Sequence, residues 1–447
     1  MKKLLGFLIL AGVLLVSCSK EEAQVNQGNF DDKVVVNNNA GDLSSMFTVV
    51  DQPIVLNTSG LKATNNPPML TLKGRFDSPV VNGAILSSSH VYYSASDPNY
   101  VYATFHARGE DYAGAVVVFD VSGLGVPTPI SMMTFTKTDF NALTIGSIAG
   151  QDYIFLAGSN KAWGAIVIKT KLIDGYISQN FDDITYTKLN EGTLNPYAAT
   201  NVASANSVSF VTRTGLPHYD VFVAAGFTNG AVYRYDAATM ILREAQTVMP
   251  GAKFTTVIPV DPPKLLALQS GGTANGKVYC YDFDDTTWTL PMVPTATWPM
   301  NLGFSINHQY AAGAYDDAGK NTLFLRGDTM YVAAGKSGMK AYDVTTKALL
   351  YQAPFDMLSH GNTNGVSADT DYVYMANGED GLYLGKVETY GPLTSVLSIV
   401  GYWDNSNVNG PAGQIASANM VTSTGTYIFV AKGVEAGFGG LAILAKP

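Results

Sequence analysis

A β-run, an Ala-x-Gly turn or a close variant, a second glycine and another β-run recur seven times along the chain. The clearest copies are Val221-Phe-Val-Ala-Ala-Gly226 followed by Gly230-Ala-Val-Tyr-Arg-Tyr-Asp236, and Met330-Tyr-Val-Ala-Ala-Gly335 followed by Gly338-Met-Lys-Ala-Tyr-Asp343. The others centre on Gly109, Gly158, Gly271, Gly378 and Gly433. Successive anchors are 49, 68, 45, 64, 43 and 55 residues apart. The short intervals fit one four-stranded propeller blade, roughly 40–50 residues. The long ones carry insertions, which a propeller tolerates because its connections lie on two open faces. A solenoid would need more regular spacing and capping units.

Each copy reads as a hairpin flanked by Val, Ile, Tyr and Phe, residues suited to a pleated, half-buried surface. Another short β-run precedes each hairpin, and in six copies an asparagine opens it: Asn82, Asn141, Asn206, Asn321, Asn364 and Asn419. The fourth unit has Phe254-Thr-Thr-Val-Ile instead. After each hairpin a fourth run can be drawn, such as Ile130-Ser-Met-Met-Thr-Phe135. Each unit is therefore expected to hold four strands: A with the asparagine, B and C in the hairpin, and D outermost. The last unit runs out of chain after Leu441-Ala-Ile-Leu444, whereas Pro68-Met-Leu-Thr-Leu-Lys-Gly-Arg-Phe76 precedes the first. The pattern predicts an all-β, seven-bladed propeller of antiparallel blades, its ring closed by an N-terminal strand that completes the last blade. Closure removes an exposed sheet edge.

The units Asn364-Gly-Val-Ser-Ala-Asp-Thr-Asp-Tyr-Val-Tyr-Met-Ala-Asn-Gly-Glu-Asp-Gly-Leu-Tyr-Leu384 and Ala115-Val-Val-Val-Phe-Asp-Val-Ser122 resemble the LVIVD-repeat family of bacterial surface propellers. The resemblance spans about residues 65–447 and implies a propeller at the cell surface. That family has no common catalytic motif, so no active site carries over.

Residues 1–17 read as a lipoprotein signal peptide. Lys2 and Lys3 precede an apolar stretch, Leu4 to Val16, and a lipobox, Leu15-Val-Ser-Cys18, follows. Cys18 is the expected lipidation site, because an apolar run this short spans a membrane poorly. Several acyl chains on one residue anchor stably. Ser19-Lys20-Glu21-Glu22 resembles the acidic tethers that route lipoproteins to the cell surface, so the outer face of a Gram-negative outer membrane is the expected location. Residues 18–60 are expected to be a flexible stalk with a possible strand extension over 46–60, and residues 61–447 the propeller.

Hydrophobic residues make up 47% of the chain and charged residues 14%, enough apolar sequence for a large core in one closed ring. Without Lys2 and Lys3, 25 basic residues face 36 acidic ones, a formal charge of −11. That disfavours nucleic acid as a partner. With Cys18 acylated, Cys280 is the one thiol left, expected as a small buried apolar residue.

The five histidines are scattered, with no pair at helical zinc spacing, and no nucleophile elbow occurs. No cofactor is expected. Carboxylates such as Asp139 and Glu379 lie in turns where Ca²⁺ could bind, but no Asp-x-Asp-x-Asp loop supports it. The B–C turns carry Tyr112, Trp163, Phe227 and Phe438, on the face where the A strands begin. Rings there are either plugs beneath their own loops or stacking platforms for sugars. The asparagines either hold turns and neighbouring amides or form a polar collar around the channel. The expected contacts for a ligand are Trp163, Tyr112, Phe438 and His360, with Asn364 and Asn141 as hydrogen-bonding partners. The function expected is a monomeric, non-catalytic binding module for a glycan or a partner protein at the outer membrane. The alternative is a propeller enzyme (a hydrolase, lyase or lactonase-like activity) with acid and base groups at the channel mouth.

Overall fold

The computed structural model describes residues 20–27, 30–59, 61, 67–107, 112–123, 125–189, 204–212, 218–226, 230–243, 247–248, 251–259, 263–269, 277–282, 296–299, 320–353, 361–390, 394–403, 417–435 and 438–446. It is an all-β, seven-bladed propeller of antiparallel sheets. Five of the blades hold their strands in simple chain order A-B-C-D, as in Ala252–Ile258, Lys264–Gln269, Lys277–Asp282 and Ala296–Pro299. In the first of these five, blade 2 of the ring, an extra two-residue strand, Tyr176–Ile177, precedes strand D. The first strand of each blade lies beside the first strand of the next, and the last of them, Ala418–Ser423, lies beside the first, Ser87–Ser94.

The remaining two blades flank the seam where the chain meets itself. Four N-terminal strands concern that seam: β1 (Lys20–Gln27), β2 (Phe30–Asn37), β3 (Phe47–Ile54) and β4 (Leu70–Phe76). β4 pairs with Phe438–Ala445, Leu441 opposite Phe76 and Ala445 opposite Thr71. It supplies the seventh blade's outer strand, as the sequence predicts. Its alternation buries Leu70, Leu72 and Phe76. The extension expected over residues 46–60 is β3, which pairs with β4 as a fifth strand.

Where a flexible stalk is expected, the structure holds ordered strands. β2 pairs with the outer strand of blade 1, Val34 opposite Phe135, and β1 pairs with β2. A short helix, α1 (Ala40–Ser45), joins β2 on blade 1 to β3 on blade 7. Its N-cap, Asn39, accepts from the N–H groups of Gly41 and Asp42, and Leu43 is buried. A polar stretch forms a strand here because an edge strand needs only one apolar face, supplied by Val34 and Val36. Asp32 then locks β2 in place. Its carboxylate accepts hydrogen bonds from the backbone of Thr136 (2.7 Å) and Lys137 (2.9 Å) and the hydroxyls of Thr136 and Thr138 (2.8 Å each).

The core lies between blades. Among the described residues seven apolar clusters are present, one in each blade-to-blade interface; that between blades 7 and 1, for example, joins Phe76, Phe429 and Ile443 to Val117 and Phe119. Central strands pack on both faces, which is why Val116-Val-Val-Phe119 and Val221-Phe-Val-Ala-Ala225 read as continuous apolar runs. Cys280 is buried in the cluster between blades 4 and 5, the packing role expected of it.

Asn82 does not open an A strand. It sits with φ 51° in the turn of a two-residue hairpin, Val80–Val81 with Ala84–Ile85, and blade 1's first strand begins at Ser87. The Asn-Gly pair at 82–83 carries the turn signal of such a hairpin rather than the start of a blade.

Candidate binding face

The face where the A strands begin is built around a repeated irregularity. In five A strands the ladder to strand B shifts by one residue at the same place, skipping Ser89, Asn141, Asn206, Lys253 and Asn419. A bulge turns its extra residue out of the ladder. In four of the five it aims the side chain at the neighbouring blade. Asn141 Nδ2 donates to Ala205 O (3.0 Å) and Ser204 Oγ (2.7 Å) of blade 3. Asn206 Nδ2 donates to Ala252 O of blade 4 at 2.8 Å, and Asn419 Nδ2 to Ser88 O of blade 1 at 2.8 Å. Ser89 plays the same part in blade 1, donating to Phe140 O at 2.6 Å. Asn364 opens blade 6 before its first ladder pair. Its Nδ2 donates to Ala418 O at 3.0 Å, and its Oδ1 accepts from Lys320 N at 3.2 Å.

Of the two roles open to the asparagines, these bonds are the backbone one. Asn364 is only 7% exposed. Each clasp reaches a backbone carbonyl at the start of the next blade's inner strand, tying neighbouring blades together.

Trp163 stands at the tip of a fixed turn. Asn160 Oδ1 accepts from the N–H groups of Ala162 (2.9 Å) and Trp163 (3.1 Å), and Gly164 takes a φ of 74°. The indole is partly buried against the cluster between blades 1 and 2, with the Lys188 ammonium 5.9 Å from the ring centroid. It therefore packs on its own blade while part of its surface stays in solvent. Tyr112, also partly buried, lies next to Ala113, whose N–H donates to Asp139 Oδ1 at 3.0 Å. Burial pushes the Asp139 carboxyl up to about 7, against the hydrogen bonds from Ala113 and Ala107. Phe438 begins the seventh blade's C strand. His360 and Cys18 lie outside the described residues, as does Phe227.

The channel itself is crossed by side chains. His90 of blade 1 and Phe254 of blade 4 face one another with ring centroids 6.2 Å apart. Lys320, ahead of blade 5, donates from Nζ to Ser89 O at 2.9 Å. Burial, and then the Lys320 charge, hold the His90 imidazole down to about 3, so it is neutral at physiological pH. Sequence reasoning does not find this trio, because its members are far apart in the chain. The one available signal is that Phe254 stands in strand A of the unit lacking an opening asparagine. Among the described residues, no group of three or more His, Cys, Asp or Glu side chains is arranged to hold a metal.

No protein-family model matches the chain, and no curated protein sequence does. Solved structures match it at a distance. The beta-propeller domain of Myceliophteria thermophila Cps50 (Swd1) covers 83% of this chain and 99% of its own at 14% identity, with a TM-score of 0.45. A chain of a mitotic checkpoint complex matches over 87% of this chain and 98% of its own at 12% identity and a TM-score of 0.46. Chaetomium thermophilum Raptor matches over 82% of this chain at 10% identity and a TM-score of 0.47, but this chain spans only 28% of Raptor's length. At that distance none of them bears on what this chain does. The chain is a seven-bladed β-propeller.

Proposed function

We propose that this protein is a non-catalytic binding module held at the surface of a Gram-negative outer membrane by a lipid on Cys18. Its ligand is a glycan or a partner protein, taken on the face where the A strands begin. The observation that carries the reading is Trp163: an aromatic held on a backbone-fixed turn, partly in solvent, on a rigid ring. Loops on a rigid scaffold are where recognition usually sits. The lipobox at Leu15–Cys18 and the likeness of Asn364–Leu384 to LVIVD repeats support the surface setting.

The asparagines Asn141 and Asn364 are committed to blade clasps, so the contacts fall to Trp163 and Tyr112, with Phe438 and His360 beside them in the sequence pattern. A glycan array, followed by affinity capture of outer-membrane proteins, identifies the ligand. Trp163→Ala should then weaken binding by about 1–3 kcal/mol, the scale of an interface anchor, with little change in Tm. A fall in Tm with affinity lost only in proportion would make Trp163 a plug and end this assignment. For the anchor, Cys18→Ala should release the protein from the membrane fraction. Unchanged fractionation would refute the lipid attachment, and protease shaving of intact cells tests surface exposure.

A further inference from the structure

A groove of about 550 Å³ opens on the opposite face, between blades 5 and 6. That volume lies within the small-ligand range, roughly 300–1,000 Å³. Its walls include Tyr331 and Tyr351 of blade 5 and Tyr372 of blade 6. The hydroxyls of Tyr331 and Tyr351 are 2.9 Å apart, which fixes both rings. Tyr351 and Tyr372 are partly exposed.

Three cations and two carboxylates stand around these rings. Lys446 is already engaged, at 2.9 Å from Asp369 and 2.7 Å from Asp371. Asp369 also accepts from Tyr374 and Ser423, both at 2.7 Å. The acids are thus held by the structure. Arg326 and Lys386 are exposed at the rim, and neither is held by an acidic side chain among the described residues. A chain of net charge −9 therefore presents a concave site with two exposed cations at the rim of a tyrosine-walled groove.

We infer that this groove binds an acidic saccharide, a pyranose ring carrying a carboxylate. The C–H face of the sugar stacks on Tyr351 and Tyr372, and its carboxylate is met by Arg326, with Lys386 adding charge. Guanidinium suits a planar carboxylate because its two N–H groups can bond both oxygens. The site is independent of the face carrying Trp163.

Calorimetry on the protein tests this with oligomers of galacturonic, glucuronic and mannuronic acid, their methyl-esterified forms and a glutamate-rich peptide. At least one uronate oligomer should bind. Esterification should weaken it at least tenfold, since the shape remains and the charge is gone. The double variant Arg326→Ala/Lys386→Ala should also bind at least tenfold more weakly at an unchanged Tm, both side chains being exposed. Trp163→Ala should bind as the natural protein does, so this groove and the other face fail separately. Absence of binding by all the uronates, equal binding by the double variant, or equally tight binding of the peptide would each overturn the inference.

Discussion

The seam between blades 7 and 1 differs from the seam between blades 3 and 4. The middle seam joins consecutive blades, and its parts are an apolar cluster, the Asn206 clasp and a hydroxyl pair, Ser207 with Thr255. The chain is continuous there, so the two blades are never far apart even when unfolded. At the 7/1 seam the partners are hundreds of residues apart, and closing so long a loop costs entropy. The structure places extra material at that point. β4 completes blade 7, β3 and β2 lie on the outer edges of the two blades, and α1 bridges them. The clasp is the same at both seams, Asn419 to Ser88 at one and Asn206 to Ala252 at the other. Covalent distance, not local chemistry, thus decides where a ring needs reinforcement.

Deleting residues 70–76 should break this contrast most severely. It leaves Phe438–Ala445 as a bare edge. The expected outcome is aggregation or loss of a cooperative melting transition. A monomer of unchanged Tm would show that the seam closes without β4. Next in size is Asp32→Ala, which strands two backbone N–H groups and two hydroxyls at the strap. Leaving buried donors unpaired costs about 1–3 kcal/mol, readable as a lowered denaturant midpoint. Should Asp32→Ala be silent, the strap would be decoration.

The clasps sharpen the comparison. Asn206→Ala and Asn419→Ala should each cost about 1 kcal/mol, because the bond is alike at both seams. A markedly cheaper Asn419→Ala would mean that the strap carries the seam alone. The smallest effect concerns pH. The Asp139 carboxyl is raised from 3.8 to about 7 in the fold. The folded protein thus holds a proton that the unfolded chain has released, and this contribution to stability, full below about pH 4, is lost as pH rises towards 7. Asp139→Asn should flatten that part of the stability profile, modestly because the residue is partly exposed. An unaltered slope between pH 4 and 7 would show that Asp139 does not titrate there.

Much of the ring is legible because its signals are local. Gly335 and Gly338, with φ of 57° and 74°, mark a hairpin tip that few other residues could form. The missing D strand of the last unit and the spare run at 68–76 point to each other by subtraction. What escapes is long-range. Nothing near Asp32 says that its partners lie at 136–138. The asparagine repeat is visible, but its purpose depends on a bulge, and a bulge is a property of two strands. Asn82 misleads because an Asn-Gly pair looks alike at a blade's start and in a small hairpin turn. The groove between blades 5 and 6 gathers Arg326 from the end of one strand, Tyr372 from a connection and Lys386 from another strand, and no short sequence window contains it.

The course of β1 and β2 would set the length of the leash if the lipid proposed on Cys18 is attached. With Lys20 already in β1, a lipid on Cys18 would have a single residue, Ser19, of slack. An extended residue reaches about 3.5 Å. The propeller would then ride against the bilayer by the rim of blade 1 instead of swinging above it. Its two faces would stand upright, each open sideways to the medium.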